Sequence, residues 1–303
     1  MIIRLSYIYA IGNEMNYNLA RSLLCITLIF VSLKTYSSDR TLVFSAIPDQ
    51  NQSQLTARFN IIANYLSATL NVPVKYVPVK SYAAAITAFS NNQVQLAWFG
   101  GLSGVRARSL VANSEAIAQG IEDTKFETYF IAHHSTNLKP STKLPAGIAD
   151  LNFTFGSKGS TSGRLMPEYY IREQFHKSPT ELFSRVGFSG NHSRTIALVQ
   201  TGAYQLGAVN YKVWQQQLKE GKIDKSKISV IWKTPTYPDY QWSVRGDIDS
   251  IWGKGFKNRI KQALLDMKDP ALLEAFPRSG FISANNDDYL PIHNTARKIG
   301  LID

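Results

Sequence analysis

Residues 156–163 read Gly-Ser-Lys-Gly-Ser-Thr-Ser-Gly, and a segment of helical periodicity, "RLMPEYYIREQF", follows at once. Hydroxyls and glycines crowded in front of a helix suit a loose linker, a nucleophile on a tight turn, or a cradle for an anion. A helix N-terminus presents unpaired backbone N–H groups and about half a positive charge. The hydroxyls of Ser160, Thr161 and Ser162 can donate to oxygens held there, and Gly163 lets a ligand approach the backbone. A helix cap needs one hydroxyl; three in succession exceed that need and point to a tetrahedral oxyanion.

The nucleophile alternative reads residues 159–163 as Gly-x-Thr-x-Gly, close to the Gly-x-Ser-x-Gly elbow of hydrolases. Threonine would be unusual at that position. His192 is the one obvious base in this region, and no carboxylate is spaced to orient it. In "FSGNHSRTI", His192 falls between a strand and a helix, where a ring N–H can donate to an anion. A lone histidine is more often structural, but this one occupies a second strand-to-helix crevice in the same half of the chain. His133 and His134, adjacent on a predicted strand, face opposite sides and cannot share a metal. His176 and His293 read as surface residues, so no metal site and no cofactor is expected.

Other donors fall at similar places. Tyr82 starts a helix after the second predicted strand, and Asn210 follows "GAV" at a strand end, where an amide donates without adding negative charge. Trp98 and Phe99 end the third strand, and Trp98 reads as core. The stretch "TYPDYQW" sets Tyr237, Asp239, Tyr240 and Trp242 in a predicted hinge crossing, with an aromatic cleft wall as its second reading.

These residues require a scaffold in which strand alternates with helix. "RTLVFSAIP", "VPVKYVPV" and "VQLAWFGG" read as strands, with "SQLTARFNIIANYLSATL", "SYAAAITAFSNN" and "LSGVRARSLVAN" as the helices between and after them. Ser81 can cap the second helix. The rhythm restarts at "TYFIAHH" and "LNFTFGS" and runs through "RVGFSGNH", "SRTIALVQTG", "QLGAVNYKVW" and "ISVIWKTP". "PDYQWSVRGDI" reads as an extended return segment, and "SIWGKGFKNRIKQALLDM" and "YLPIHNTARKIGLI" as helical. An α/β chain of two lobes follows, each with a parallel sheet under helices and crevices at the carboxyl ends of its strands.

The length of 303 residues allows two lobes, and 44% hydrophobic with 18% charged residues marks a folded chain. The net charge of +11 is scattered. It suits encounters with small anions and gives no block of a kind that would indicate a nucleic-acid partner. Arg21 precedes the apolar run Leu23 to Leu33, which is too short to span a bilayer and is followed by small polar residues. Residues 1–38 therefore read as a secretory signal peptide, with Met15 as an alternative start. Cys25, the one cysteine, lies inside that run, so the exported chain would have neither disulfide nor thiol chemistry.

The stretches "SYAAAI", "QLAWFGGLSGVRA", "FGSKGSTSGRLMPEYYI", "GNHSRTIALVQTG" and "VIWKTPTYPDYQW" together resemble the periplasmic binding proteins of phosphonate, phosphite and phosphate ABC importers. Members described as selenate-binding share "SAIPD", "LAWFGG" and "YPDYQWSVRGD". The resemblance implies a type II periplasmic-binding fold whose two lobes are joined by two crossing strands, with residues 39–130 and 241–303 in one lobe and 131–240 in the other. It implies that Tyr82 contacts ligand from the first lobe and Ser160, Thr161, Ser162 and His192 from the second. Phe99 stands where phosphonate binders commonly carry tyrosine; one hydroxyl is lost, which suits a smaller or less hydrogen-bonded oxyanion. The implied product is a monomeric binding subunit, not an enzyme, that serves a permease and an ATPase. A ligand sensor for a membrane receptor is the alternative, and a hydrolase the more distant one.

Overall fold

The computed structural model describes residues 40–303; the expected export segment and Cys25 lie outside them. The chain first lays down β1 (Leu42–Ala46), α1 (Gln52–Leu70), β2 (Val74–Tyr76), α2 (Tyr82–Ser90), β3 (Leu96–Phe99), α3 (Gly101–Ser109) and β4 (Glu115–Gly120). It then builds β5 (Thr128–His133), β6 (Asn152–Phe155), α4 (Met166–Phe175), α5 (Pro179–Leu182), β7 (Arg185–Phe188), α6 (His192–Gln200), β8 (Leu206–Asn210), α7 (Tyr211–Lys219) and β9 (Ile228–Lys233). It returns through β10 (Gln241–Val244), α8 (Ile248–Trp252), α9 (Phe256–Leu265), α10 (Pro270–Ala275), β11 (Phe281–Ser283) and α11 (Leu290–Lys298).

The strands form two sheets, ordered β11-β4-β10-β3-β1-β2 and β7-β6-β8-β5-β9. Both are mixed, which corrects the expectation of parallel sheets. β1, β2 and β3 run parallel, but β10 inserts antiparallel between β3 and β4, and β11 is antiparallel to β4. In the second sheet β6, β7 and β8 are parallel, while β5 opposes both β8 and β9. The reason is topological: a chain that leaves one sheet and returns later fills the remaining edge or gap in the direction its crossing dictates. β5 pairs with β8 from Thr128 onward. His134 lies beyond the end of β5 in a short 3-10 turn, so it and His133 are not consecutive strand residues.

The two crossings, residues 121–127 and 234–240, lie side by side. Phe126 and Tyr237 exchange backbone hydrogen bonds of 2.8 and 3.0 Å, and Asp239 N–H donates to Asp123 O at 3.0 Å. Beneath them Arg278 makes two 2.7 Å bonds to the Asp123 carboxylate. Both partners are buried, and the guanidinium also lies near the rings of Trp98, Phe126 and Tyr240. A bidentate pair among aromatics fixes the geometry of the crossing segments. Trp98 is core, as read from the sequence, stacked on Tyr240 and tilted against Trp242.

Each lobe buries its own apolar residues. Leu42, Phe44, Phe59, Leu66 and Trp242 belong to the core of the first, while Phe130, Phe153, Phe155 and Ile231 belong to the core of the second. α1 shows why the pattern was readable: Leu55, Phe59, Ile62 and Leu66 recur at helical spacing on its buried face, and Asn51 caps it through Ser53 N–H.

Candidate functional site

The segment 160–165 starts its helix as the sequence requires, with one refinement. Thr161–Leu165 form a single π turn that passes directly into α4, a widened first turn of the kind found at functional sites. Ser160 is the cap: its Oγ accepts from Gly163 N–H at 2.9 Å. That leaves Thr161 and Ser162 for other work. Thr161 Oγ1 accepts from Leu102 N–H of the opposite lobe at 3.0 Å. Ser162 Oγ lies 3.4 Å from His192 Nε2. All four residues from Ser160 to Gly163 are buried.

His192 begins α6, is fully buried, and is tied at three points. Its backbone N–H donates to Asp49 O of the first lobe at 2.9 Å. Its Nδ1 accepts from Asn210 N–H at 3.2 Å. A ring that accepts at Nδ1 carries its proton at Nε2 when neutral. Burial keeps it neutral, pulling its pKa from 6.5 down to about 3. His192 therefore presents a neutral Nε2–H donor toward Ser162. The same tautomer removes the hydrolase alternative, because a general base needs a free lone pair at Nε2 and an acceptor behind Nδ1.

Tyr82 closes the site from the first lobe. Ser81 caps α2 through Ala84 N–H at 3.1 Å, which places Tyr82 in the first turn. Its hydroxyl lies beside those of Ser160 and Tyr240 but is buried with no well-formed hydrogen bond among the described residues. Burial, and then the Asp49 charge, hold the phenol well above its ordinary pKa, so it is a donor at any physiological pH. A buried donor left over in this way is what a ligand oxygen would satisfy.

Three expected ligand contacts have other duties. Asn210 uses Oδ1 to cap α7, accepting from Lys212 and Val213 N–H, and donates from Nδ2 to Tyr240 Oη at 2.9 Å. It positions His192 and Tyr240. Tyr237 Oη pairs with Thr128 Oγ1 at 2.5 Å, and Thr128 Oγ1 in turn donates to Ser162 O at 2.9 Å, so Tyr237 supports the hydroxyl turn from behind. Phe99 is fully buried with its ring edge-on to Phe89, 5.6 Å between centroids, so its contact is with core.

Two carboxylates that were not among the expected site residues lie against these groups, Asp49 after the first strand and Asp239 in the second crossing. Asp49 Oδ2 accepts from Tyr240 Oη at 2.8 Å. Asp239 Oδ1 accepts from Gly101 N–H at 2.8 Å, the first residue of α3, while its Oδ2 is buried without a partner. Thr161 Oγ1 lies beside this carboxyl. Burial raises Asp239 to about pH 7, against the hydrogen bonds from Thr161 and Gly101. The sequence places Asp239 in the hinge crossing "TYPDYQW" and gives it no ligand role. Its one warning was an acid set among three aromatics.

The lobes meet at Gly159, and Gly163 packs tightly within the second lobe. A Cβ on Gly159 would lie 3.0 Å from Tyr82 Cβ, and one on Gly163 would lie 3.0 Å from both His192 Cε1 and Ser160 Oγ. Gly159→Ala is expected to hold the lobes apart at Tyr82 and to weaken ligand binding about tenfold, with the melting temperature of the ligand-free protein unchanged. Titration calorimetry and a thermal melt check both halves of that expectation.

With this geometry in hand, comparison with known proteins is decisive. Residues 44–289 match the model of the family "ABC transporter, phosphonate, periplasmic substrate-binding protein". The chain belongs to this family. It is 39% identical over 295 residues to a probable ABC transporter phosphite-binding protein of Prochlorococcus marinus, covering 94% of this chain and 99% of that one. It is 26% identical over 270 residues to the phosphonates-binding periplasmic protein of Escherichia coli, covering 85% and 76%. A solved structure of the Prochlorococcus protein in complex with methylphosphonate superposes with a TM-score of 0.83, covering 88% of this chain and all of that one. The fold is that of the type II periplasmic binding proteins, and the family consists of transporter binding subunits, not enzymes.

Proposed function

We propose that this chain captures a small phosphorus oxyanion carrying one proton, of the methylphosphonate, phosphite or phosphate type, and delivers it to the permease and ATPase of an ABC importer. The observation that carries the reading is a matched set. Tyr82 Oη and Asp239 Oδ2 are buried without hydrogen-bond partners among the described residues, and Ser162 Oγ and the neutral His192 Nε2–H lie 3.4 Å apart. We read the three donors and the one carboxylate oxygen as the two halves of an anion site. Donors take the bare oxygens of the ligand, and the carboxylate takes its hydroxyl. The relative's methylphosphonate complex supports the same ligand class.

The energetics suffice. Micromolar binding corresponds to about 8 kcal/mol. Hydrogen bonds to a charged ligand contribute roughly 1.5–3 kcal/mol each once water is excluded, and four to six of them leave a surplus after the cost of association. Closure completes them because they come from both lobes, so ligand shifts the population toward the closed form that a permease can recognise. The close approach of Gly159 to Tyr82 favours ligands with little or no organic arm. Selenate and sulfate, fully ionised near neutrality, would set a bare oxygen against Asp239.

Calorimetry with methylphosphonate, phosphite, phosphate, 2-aminoethylphosphonate, sulfate and selenate tests this. The expected order places methylphosphonate and phosphite first and the two fully ionised anions last, weaker by about a hundredfold. Folded, ligand-stripped protein that binds none of the phosphorus compounds would overturn it.

A further inference from the structure

Outside the site, where Tyr82 meets Gly159, a cavity of about 350 Å³ opens between the lobes, lined from one side by Ser81, Tyr82, Ile86 and Arg106 and from the other by Lys158 and Phe188. Among the described residues no acidic side chain lines it. Phe188 leaves 39% of its surface exposed there, and two cations sit over its ring: Lys158 Nζ at 5.3 Å and the Arg164 guanidinium at 5.1 Å from the centroid. Arg164 is paired with buried Glu168, but Glu168 is shared with Arg172. Arg106 donates to the Leu301 carbonyl at 2.6 Å, a neutral partner. Burial lowers the pKa of Arg164; Glu168 opposes this, and the charges of Arg172 and of Arg106 across the cleft add to it.

Like charges from two lobes thus converge on one open cavity at the threshold of the anion site, with a single carboxylate between three arginines. Such an arrangement costs closure energy unless it attracts something negative. We propose that this cavity is the entry port for the ligand: Lys158 and Arg106 draw the oxyanion to the cleft mouth, and it reaches Ser162 and His192 when the lobes part and the Tyr82–Gly159 contact opens. The inference rests on the oxyanion reading above. It adds a route and two residues that act on the rate of capture rather than on the bound state. Opposite charge at a cleft mouth raises association rates and makes them fall with ionic strength.

The test is stopped-flow binding of methylphosphonate, followed by intrinsic tryptophan fluorescence, for the wild type and for Lys158→Glu, Arg106→Gln and the double variant. The association rate of the double variant at low salt is expected to drop about tenfold, with a shallower salt dependence and a dissociation rate within about twofold of wild type. An association rate unchanged in the double variant, or a loss confined to the dissociation rate, overturns the port. Arg106→Lys separates charge from packing: it keeps the rate if charge is what matters, and a rate as low as that of Arg106→Gln counts against the port. A wild type that binds no phosphorus oxyanion at all is the distinct outcome that removes the underlying ligand reading instead.

Discussion

Replacing His192 by alanine is expected to weaken methylphosphonate binding about a hundredfold, the upper part of what one hydrogen bond to a charged ligand contributes. The loss is large because the ring does three things at once. Its Nε2–H is a donor fixed by Asn210 N–H behind it, so no reorientation precedes binding. Its removal strands that buried N–H, and it loosens the turn whose backbone reaches Asp49 across the cleft. Ser162→Ala, which orphans no backbone group, is expected to cost only about tenfold. The ring's protonation state gives a second readout. A histidine held at about 3 against 6.5 in the unfolded chain contributes stability above pH 6.5, and that contribution is lost as pH falls toward 3. Thermal melts should show wild type losing stability through that window more steeply than His192→Ala. Wild-type affinity that instead climbs on acidification through pH 6, and does not climb in the variant, would mean a charged ring holds the ligand.

The sequence made the hydroxyl turn and His192 legible because their chemistry is local. Three hydroxyls, a glycine and a following helix form one contiguous signal, and a capped helix start fixes where they point. The α/β alternation was legible for the same reason, through the periodicity of stretches such as Leu55 to Leu66. What escaped was set by distant partners. β4, "EAIAQG", has a single β-branched residue and no hydrophobic run; it is a strand because β10 and β11 flank it. Asn210 looked like a ligand donor since it ends a strand at the cleft, yet nothing local could show that its two amide atoms are engaged by α7 and Tyr240. Asp49 follows Pro48 at the end of the first predicted strand and Asp239 follows Pro238 in the predicted hinge crossing, and neither position announces a buried acid. Only folding buries them, and burial is what turns an ordinary surface acid into a site residue.

Asp239→Asn is expected to exchange one selectivity for another. In the wild type Oδ1 is engaged by Gly101 N–H, Thr161 lies beside the carboxyl, and Oδ2 is buried without a partner among the described residues, where in the proposed complex a proton satisfies it. The bound ligand supplies it, or Asp239 itself does, since burial places its pKa near 7. Either way the complex holds one shared proton. Above about pH 7 that proton must be taken up from solvent, so phosphonate affinity should fall by at most about tenfold per pH unit. Asparagine keeps an acceptor for Gly101 but turns an NH₂ toward the ligand. Sulfate and selenate then meet a donor where they had met a carboxylate, and the preference for phosphonate over sulfate should shrink by about a hundredfold as the pH dependence flattens. The ligand-free protein gives an independent sign. A carboxyl raised from 3.8 to about 7 contributes its full stability below 3.8 and loses it as pH rises through 7. Asp239→Asn should therefore melt higher than wild type at pH 8, with the difference closing toward pH 4. A variant that loses phosphonate and sulfate equally, and whose melting curve tracks wild type at both pH values, would show that Asp239 is scaffold. If Asp239 takes the ligand's proton as proposed, the stability forgone at neutral pH is the cost of keeping that acceptor dry, where it separates two ions of nearly the same shape.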